Sequence, residues 1–197
     1  MGASMSREDL DRWEPRWRDG HAVGLEPEPF LMRSADALLP GPILDIAAGA
    51  GRNALWLARR GVHVTAIDIA PAAVARLTAV AAELGVKVDA RAADLDEPDS
   101  LAGLGPFAGM IAIRYRPSAS QWARLVPLLR PGGRVLLCSF APAQHRERGF
   151  PLAYCLDRPA LEAELTGLLA LLSWESYQEA GDFLAGSLWQ RPQTHGQ

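Results

Sequence analysis

The sequence lacks several features that would tie it to a special environment. Its two cysteines, Cys138 and Cys155, do not have the spacing of a metal site, so we expect no metal ion and a reducing cytoplasm as the location. No apolar run is long enough to cross a bilayer, and residues 1–6 lack the apolar core of a secretory signal. The net charge of −3 gives no reason to expect a nucleic-acid partner.

The rest of the composition is that of an ordinary globular chain. Of the 197 residues, 49% are apolar and 22% are charged. This length suits one main domain, which we place at residues 41–197. We expect a small helical flap over residues 1–40 to precede it.

The expected flap has an aromatic face. Leu10, Trp13 and Trp17 recur at helical spacing, and Pro15 falls inside that pattern. Two interpretations carry equal weight. The segment either packs on the edge of a sheet, or it closes over a ligand with its tryptophans and His21 near the substrate.

The centre of the sequence is a strand, a glycine turn and a helix. An apolar run from Ile43 to Ala47 enters a turn that contains Gly49 and Gly51, and a helix with an apolar face follows. The glycines allow the backbone to bend sharply and allow a ligand to approach it. The start of the helix points unpaired N–H groups at the same crevice. This unit therefore predicts a nucleotide or nucleoside site in an open α/β sheet.

Two acidic residues bear on the class of ligand. Asp68 ends the next apolar run and lies 19 positions after Gly49, close to the roughly 20 expected for an acid that binds ribose hydroxyls. Together with the pattern Gly49-Ala-Gly-Arg-Asn-Ala, this spacing alone favours a dinucleotide. Asp45 argues against a pyrophosphate, because a carboxylate near the turn repels phosphate and suits a ligand with an ammonium and a sulfonium group.

The pattern Asp45-x-x-x-Gly49-x-Gly51 resembles motif I of the class I S-adenosylmethionine (SAM)-dependent methyltransferases. The resemblance covers nearly the whole chain and implies SAM as cofactor, with S-adenosylhomocysteine (SAH) as product. It implies that Asp45 holds the ammonium group, Asp68 the ribose hydroxyls and Asp94 the adenine amine. The cofactor site that we expect comprises Asp45, Ala47, Gly49, Gly51, Arg52, Asn53, Asp68, Ile69, Asp94, Leu95 and Arg114.

Later segments complete the expected fold. Gly109 to Arg114 is a fourth strand, preceded by Ala108 where methyltransferases usually carry Asp. Leu168 to Tyr177 and Phe183 to Gln190 predict a terminal hairpin, which is the usual ending of this family. We therefore expect an α/β fold: a Rossmann-like open sheet of about seven strands, mostly parallel, with an antiparallel C-terminal hairpin strand and helices on both faces.

The methyl acceptor is expected to approach at the carboxyl end of the fourth strand. Residues 141–150 are polar and predict a loop, either over the crevice or on the free surface. No convincing general base is present, so the catalytic residues remain unknown. The candidate substrate residues are Trp13, Trp17, His21, Tyr115, Arg116 and His145.

Short pieces of the chain are similar to the small tellurite-resistance-type methyltransferases, among them residues 26–30 and Tyr115-Arg-Pro. This similarity implies a small-molecule acceptor, either a thiol or a metalloid species, and a monomer or homodimer without a membrane partner. Two alternatives stay open. One is an NAD-dependent oxidoreductase, and the other is a SAM-binding regulatory module that has lost catalysis.

Overall fold

The computed structural model describes residues 7–18, 24–38, 40–97 and 99–193. Its helices are α1 (Arg7–Arg18), α2 (Pro29–Ser34), α3 (Arg52–Arg59), α4 (Pro71–Glu83), α5 (Ala119–Leu125), α6 (Pro142–Arg148) and α7 (Arg158–Leu165). Its strands are β1 (Ile43–Ile46), β2 (Val64–Asp68), β3 (Val88–Ala92), β4 (Phe107–Ile113), β5 (Leu129–Phe140), β6 (Ala170–Glu179) and β7 (Asp182–Gln190).

The seven strands form one sheet in the order β3-β2-β1-β4-β5-β7-β6. Strands β1 to β5 pair in parallel, whereas β7 runs antiparallel to both β5 and β6. This arrangement confirms the Rossmann-like fold predicted from the sequence, including the antiparallel C-terminal hairpin. The strands β1 and β4 are buried throughout because helices cover the sheet on both faces.

Two hydrophobic clusters lie on opposite faces of this sheet. Leu44 and Ile46 of β1 belong to the first cluster, and their neighbour Ile43 belongs to the second, as the alternation of side chains along a strand requires. The first cluster centres on the fully buried Trp122, and the second contains Leu77 of α4. Within the residues described, no helix is both long and apolar enough to cross a membrane.

The segment 141–150 differs from its prediction, since most of it is a helix and not a loop. Helix α6 has Pro142 in its first turn, and Gly149 ends it with a φ of 69°. Its buried Gln144 donates to Asp182 of β7 through Nε2, and its Oε1 accepts from the Phe183 amide. The polar composition suggested a loop, but this helix is held by two side-chain bonds to a distant strand.

The carboxyl ends of β1, β2 and β4 meet at one edge of the sheet. Strand β1 pairs with β2 on one side and with β4 on the other. The strands that follow β1 in sequence are therefore added first on one side of it and then on the other, and the strand order reverses at β1. Such a reversal opens a crevice outside the strand ends, where open α/β sheets bind their ligands. The glycine turn, Asp68 and Arg114 all lie at this edge.

Gly51 provides a test of the packing at the glycine turn. Its φ is 81°, and a Cβ there would overlap the side chain of Leu77. Gly61 is a matched control, because its φ is 80° but nothing lies within 4 Å of its Cβ position. We expect Gly51→Ala to lower the free energy of unfolding by about 1–3 kcal/mol more than Gly61→Ala, the usual cost of overpacking. Urea denaturation measures both, and equal losses would show that the contact with Leu77 is unimportant.

Candidate functional site

A cavity of about 890 Å³ occupies the crevice at the carboxyl ends of the parallel strands. A volume of this size suits a ligand of drug-like dimensions or larger. Strand ends, the glycine turn, α1 and the segment after β5 all contribute to its wall. The structure brings together twelve of the predicted site residues in this wall: Trp13, Trp17, Ala47, Gly49, Gly51, Arg52, Asn53, Asp68, Ile69, Arg114, Tyr115 and Arg116.

Asp68 joins the end of β2 to the glycine turn. Its Oδ2 accepts a hydrogen bond of 2.7 Å from the Gly49 amide, and its Oδ1 accepts one of 2.9 Å from the Ala70 amide. Burial raises the pKa of Asp68, while these backbone bonds oppose that rise. A carboxylate oxygen can accept a second bond, and Asp68 lines the cavity. The side chain is therefore oriented to accept further hydrogen bonds from a ligand.

Asp45 does not lie in the cavity wall. It is 1% exposed, and it interacts with the backbone of Ala54 in the helix behind the turn. Burial, together with the nearby Asp68 carboxylate, raises the pKa of Asp45 to about 8. The electrostatic argument against a pyrophosphate relied on a carboxylate at the ligand, whereas Asp45 is not part of the cavity wall.

Glu28 was missed in the sequence, and it organises two arginines of the cavity wall. Its carboxylate is 1% exposed, and its Oε2 accepts from Arg52 Nη2 at 2.9 Å and from Arg114 Nε at 3.1 Å. Its own amide donates to Asn53 Oδ1 at 2.9 Å. Oε1 of Glu28 has no partner within the described part of the chain. One buried carboxylate thus fixes the extended segment before α2 against the glycine-turn helix.

Asp182, at the start of β7, continues this network. Its Oδ2 accepts from Arg114 Nη1 at 3.1 Å, and its Oδ1 accepts from Gln144 of α6 at 2.9 Å. Arg114 has a φ of 59°, a conformation that is costly for a residue with a Cβ and clusters at functional sites. The guanidinium also lies 4.8 Å from the ring centroid of Phe140. Arg114 is held from three sides at the end of β4.

Helix α1 covers the glycine turn. A Cβ at Gly49 would lie 2.8 Å from Trp17 Cζ2, so the indole ring packs directly on this glycine. Glu14 accepts a bond of 3.0 Å from the Ala72 amide at the start of α4. On the other side of the cavity, Arg12 Nη1 donates to the Tyr154 hydroxyl at 3.3 Å. The helix spans the cavity from one rim to the other.

An aromatic group that the sequence did not reveal forms the part of the wall beyond β5. Phe140 and Phe150 have ring centroids 4.2 Å apart, and Tyr154 contacts Phe150 edge-on at 6.2 Å. Leu25 and Trp13 line the same cavity and are 49% and 40% exposed. This apolar half adjoins the sheet edge where the acceptor was expected to approach.

Tyr115 and Arg116 reach the cavity but are already engaged. The Tyr115 hydroxyl donates to Gln121 Oε1 at 2.7 Å, and burial raises its pKa far above neutral pH. Arg116 pairs with Glu164 at 2.5 Å, with 8% of its side chain exposed. Neither side chain is suited to removing a proton at neutral pH.

Other predicted site residues are not in the cavity wall. Asp94 turns back and accepts from the Asp96 amide at 2.9 Å, and Leu95 is buried in the core. His145 lies on α6 with its Nδ1 2.7 Å from the Phe150 carbonyl oxygen. His21 lies outside the described residues. Within the described chain, no three His, Cys, Asp or Glu side chains are grouped so that they could hold a metal ion.

Comparison with known proteins identifies the domain that contains this site. Residues 43–133 match a family model described as a methyltransferase domain. The ubiquinone biosynthesis O-methyltransferase of Xylella fastidiosa is 34% identical over 133 residues, which are 64% of this chain and 52% of that protein. The chain spans about half the length of the curated relatives it matches.

Solved structures share the fold over most of the chain. Magnesium protoporphyrin IX methyltransferase (ChlM) from Synechocystis, solved with bound SAH, has a TM-score of 0.70 at 17% identity, covering 93% of this chain and 98% of its own. TehB from Haemophilus influenzae has a TM-score of 0.66 at 16% identity, covering 93% and 67%. The similarity to methyltransferases that the sequence suggested is thus confirmed over residues 43–133, and the predicted Rossmann-like fold is confirmed over most of the chain.

The raised pKa of Asp45 predicts a pH dependence of stability. In an unfolded chain an Asp titrates near about 3.9, whereas folded Asp45 titrates at about 8. Folding therefore takes up a proton between these values. The stabilisation that comes from protonated Asp45 is fully present below about pH 4, and it is lost as the pH rises through about 8. We expect the unfolding free energy to fall between about pH 5 and 8, and to fall less in Asp45→Asn.

Urea denaturation at several pH values measures this difference. Asp99→Asn is the control, because Asp99 is exposed and lies outside the cavity wall. It should retain the full pH dependence of the original chain. If Asp45→Asn retains it as well, the proton is not taken up at Asp45.

Proposed function

We propose that this chain is a SAM-dependent methyltransferase that acts on a small-molecule acceptor. The observation that carries the proposal is the cavity in which Asp68, tied to the glycine turn, faces the space covered by α1. The methyltransferase domain over residues 43–133 supports it. Ubiquinone biosynthesis O-methyltransferase and ChlM, to which the chain is similar, are named for methyl transfer.

The wall around the glycine turn fits a nucleoside with an amino-acid side arm. Asp68 can accept bonds from both ribose hydroxyls while it keeps its bonds to Gly49 and Ala70. We place the adenine beyond Ile69, towards the end of β3. Asp94 lies there, close enough to Tyr115 in the wall to help raise its pKa. In this proposal Asp94 and Leu95 complete the adenine end of the site.

The side arm carries a carboxylate, and two arginines can bind it. Arg52 Nη1 and Arg114 Nη2 make no hydrogen bond within the described residues, while Glu28 holds Arg52 Nη2 and Arg114 Nε, and Asp182 holds Arg114 Nη1. Guanidinium groups fixed in this way lose little freedom when they bind a carboxylate. Asp45 then acts through the turn that it supports and not by contact with the ammonium group.

SAM supplies a methyl group that is already activated on a sulfonium. The protein must align an acceptor whose lone pair forms the new bond to the methyl carbon, while the electron pair of the broken carbon–sulfur bond stays on sulfur. In the wall, the Tyr115 hydroxyl bonds Gln121, the Asp182 carboxylate bonds Arg114, and the Asp9 carboxylate pairs with Arg12. The geometry therefore favours a soft acceptor, a thiol or a selenium or tellurium species, that reacts without a protein base.

We further propose that residues 1–40 act as a flap. Within them, α1 contacts the glycine turn through Trp17, the start of α4 through Glu14, and Tyr154 through Arg12. Residues 9–18 of α1 are exposed or half-buried, with Leu10 packed against the first hydrophobic cluster, so the helix can open more easily than the sheet. Closure over the cofactor would exclude water from the reacting groups.

A SAM-binding module without catalysis is the second candidate, and the lack of a base favours it. The aromatic half of the cavity argues for catalysis, because a module that binds only the cofactor has no use for a second apolar compartment. The NAD-dependent alternative is disfavoured by the methyltransferase domain and the antiparallel C-terminal hairpin.

Calorimetric titration tests the cofactor assignment. SAM and SAH should bind, and NAD should bind much more weakly. Asp68→Asn retains an oxygen for one amide bond but loses the charge that strengthens bonds to the ribose, each worth about 1.5–3 kcal/mol. We expect SAH to bind roughly tenfold or more weakly to this variant. Asp89→Asn is the control, because Asp89 is paired with Arg91 outside the cavity wall. Comparable NAD affinity, or unchanged SAH affinity in Asp68→Asn, would overturn the proposal.

A further inference from the structure

The cavity has two chemically different halves. The half that adjoins the glycine turn carries Asp68 and the arginines fixed by Glu28. The other half is built from Phe140, Phe150 and Tyr154, whose rings contact one another. Contacts of this kind between aromatic side chains and a ligand ring favour flat apolar molecules. A small inorganic oxyanion would leave this surface uncovered.

The charged side chains of the wall are mostly neutralised. Arg52 and Arg114 share Glu28, Arg114 also pairs with Asp182, and Arg116 pairs with Glu164. Arg12 lies 3.8 Å from Asp9 and also bonds Tyr154. These pairs hold their arginines in place and reduce their attraction for an incoming anion.

Arg16 differs from these arginines. It lines the cavity, and it has no carboxylate partner within the residues that the structure describes. Its guanidinium lies over the Trp13 ring, 4.9 Å from the centroid. Stacking on an aromatic face holds the planar group in position and leaves its N–H donors directed outward. The rim of the aromatic half therefore carries a positioned cation.

We propose that the acceptor is a flat aromatic molecule that carries an anionic group such as a carboxylate. Its ring lies against the aromatic half, and its anionic group pairs with Arg16 across the rim. This inference rests on the proposed methyl transfer and names the acceptor class of the same site. The sulfonium of the cofactor also favours an anionic acceptor, since opposite charges attract in a partly dehydrated cavity.

The acceptor class can be tested with two aryl thiols that differ only in charge. 4-Mercaptobenzoate carries a carboxylate, and 4-mercaptobenzamide replaces it with a neutral group of similar shape. The thiol sulfur takes the methyl group to give a thioether, its proton goes to solvent, and SAM becomes SAH. We expect kcat/KM to be about tenfold higher for the benzoate, and Arg16→Gln to remove most of that preference.

Arg60→Gln is the matched control. Arg60 is also exposed and stacks over a tryptophan, Trp56, at 4.7 Å from the ring centroid, but it does not line the cavity. This variant should keep the preference for the benzoate. A preference that survives in Arg16→Gln, or an equal loss with both thiols, would overturn the role of Arg16.

Further outcomes separate this inference from the proposed function. If SAH binds but neither aryl thiol is methylated, or if selenite is the better acceptor, the acceptor class is wrong and the cofactor assignment stands. If SAH does not bind, the proposed function itself fails. If the original chain methylates the two thiols at equal rates, the proposed anionic group of the acceptor is wrong, and the proposed aromatic ring is not affected.

Discussion

The hydrogen bond between the Gly49 amide and the Asp68 carboxylate connects the two parts of the ligand-binding unit. Gly49 follows β1 and Asp68 ends β2, and these strands are parallel neighbours. The bond therefore fixes the glycine turn relative to the next strand end. It also sets the direction of the carboxylate, because Oδ2 faces the turn and Oδ1 faces Ala70. The ribose contact that we propose for Asp68 depends on this geometry.

The Glu28 network adds a second constraint, which connects parts of the chain that are distant in sequence. Glu28 joins Arg52 after the glycine turn to Arg114 after β4, and Asp182 extends the network to β7. Removing one partner of a buried pair leaves an uncompensated charge, which is strongly destabilising. The main effect of the Glu28 network is therefore to fix the positions of the cavity arginines, and its contribution to net stability is smaller. Both α1 and the segment that carries Glu28 contact the glycine turn or the helix that follows it, at the same sheet edge.

The sequence predicted the parts of the site that depend on local patterns. The glycine turn and Asp68 were found because their spacing along one βα unit is fixed by the fold. Trp13 and Trp17 were found by helical periodicity. Asp45 was placed at the ligand because it precedes the turn, but in the structure it is buried and does not line the cavity.

Residues brought together by distant segments could not be predicted in this way. Phe140 ends β5 and Phe150 follows α6, and the polar composition of the chain between them gave no sign of that helix. Glu28 gave no local signal, because its partners lie 24 and 86 positions away. Asp94 lies just after the end of β3 as predicted, where its Oδ1 accepts a bond from the Asp96 amide, and its place at the adenine stays a prediction.

The most direct test of this account is an experimental structure of the protein in complex with SAH. The account predicts that both ribose hydroxyls lie within hydrogen-bonding distance of Asp68. It also predicts that the SAH carboxylate contacts Arg52 or Arg114, and that the sulfur faces the half of the cavity formed by Phe140 and Tyr154. A complex in which SAH lies elsewhere, or in which Asp68 does not contact the ribose, would contradict it.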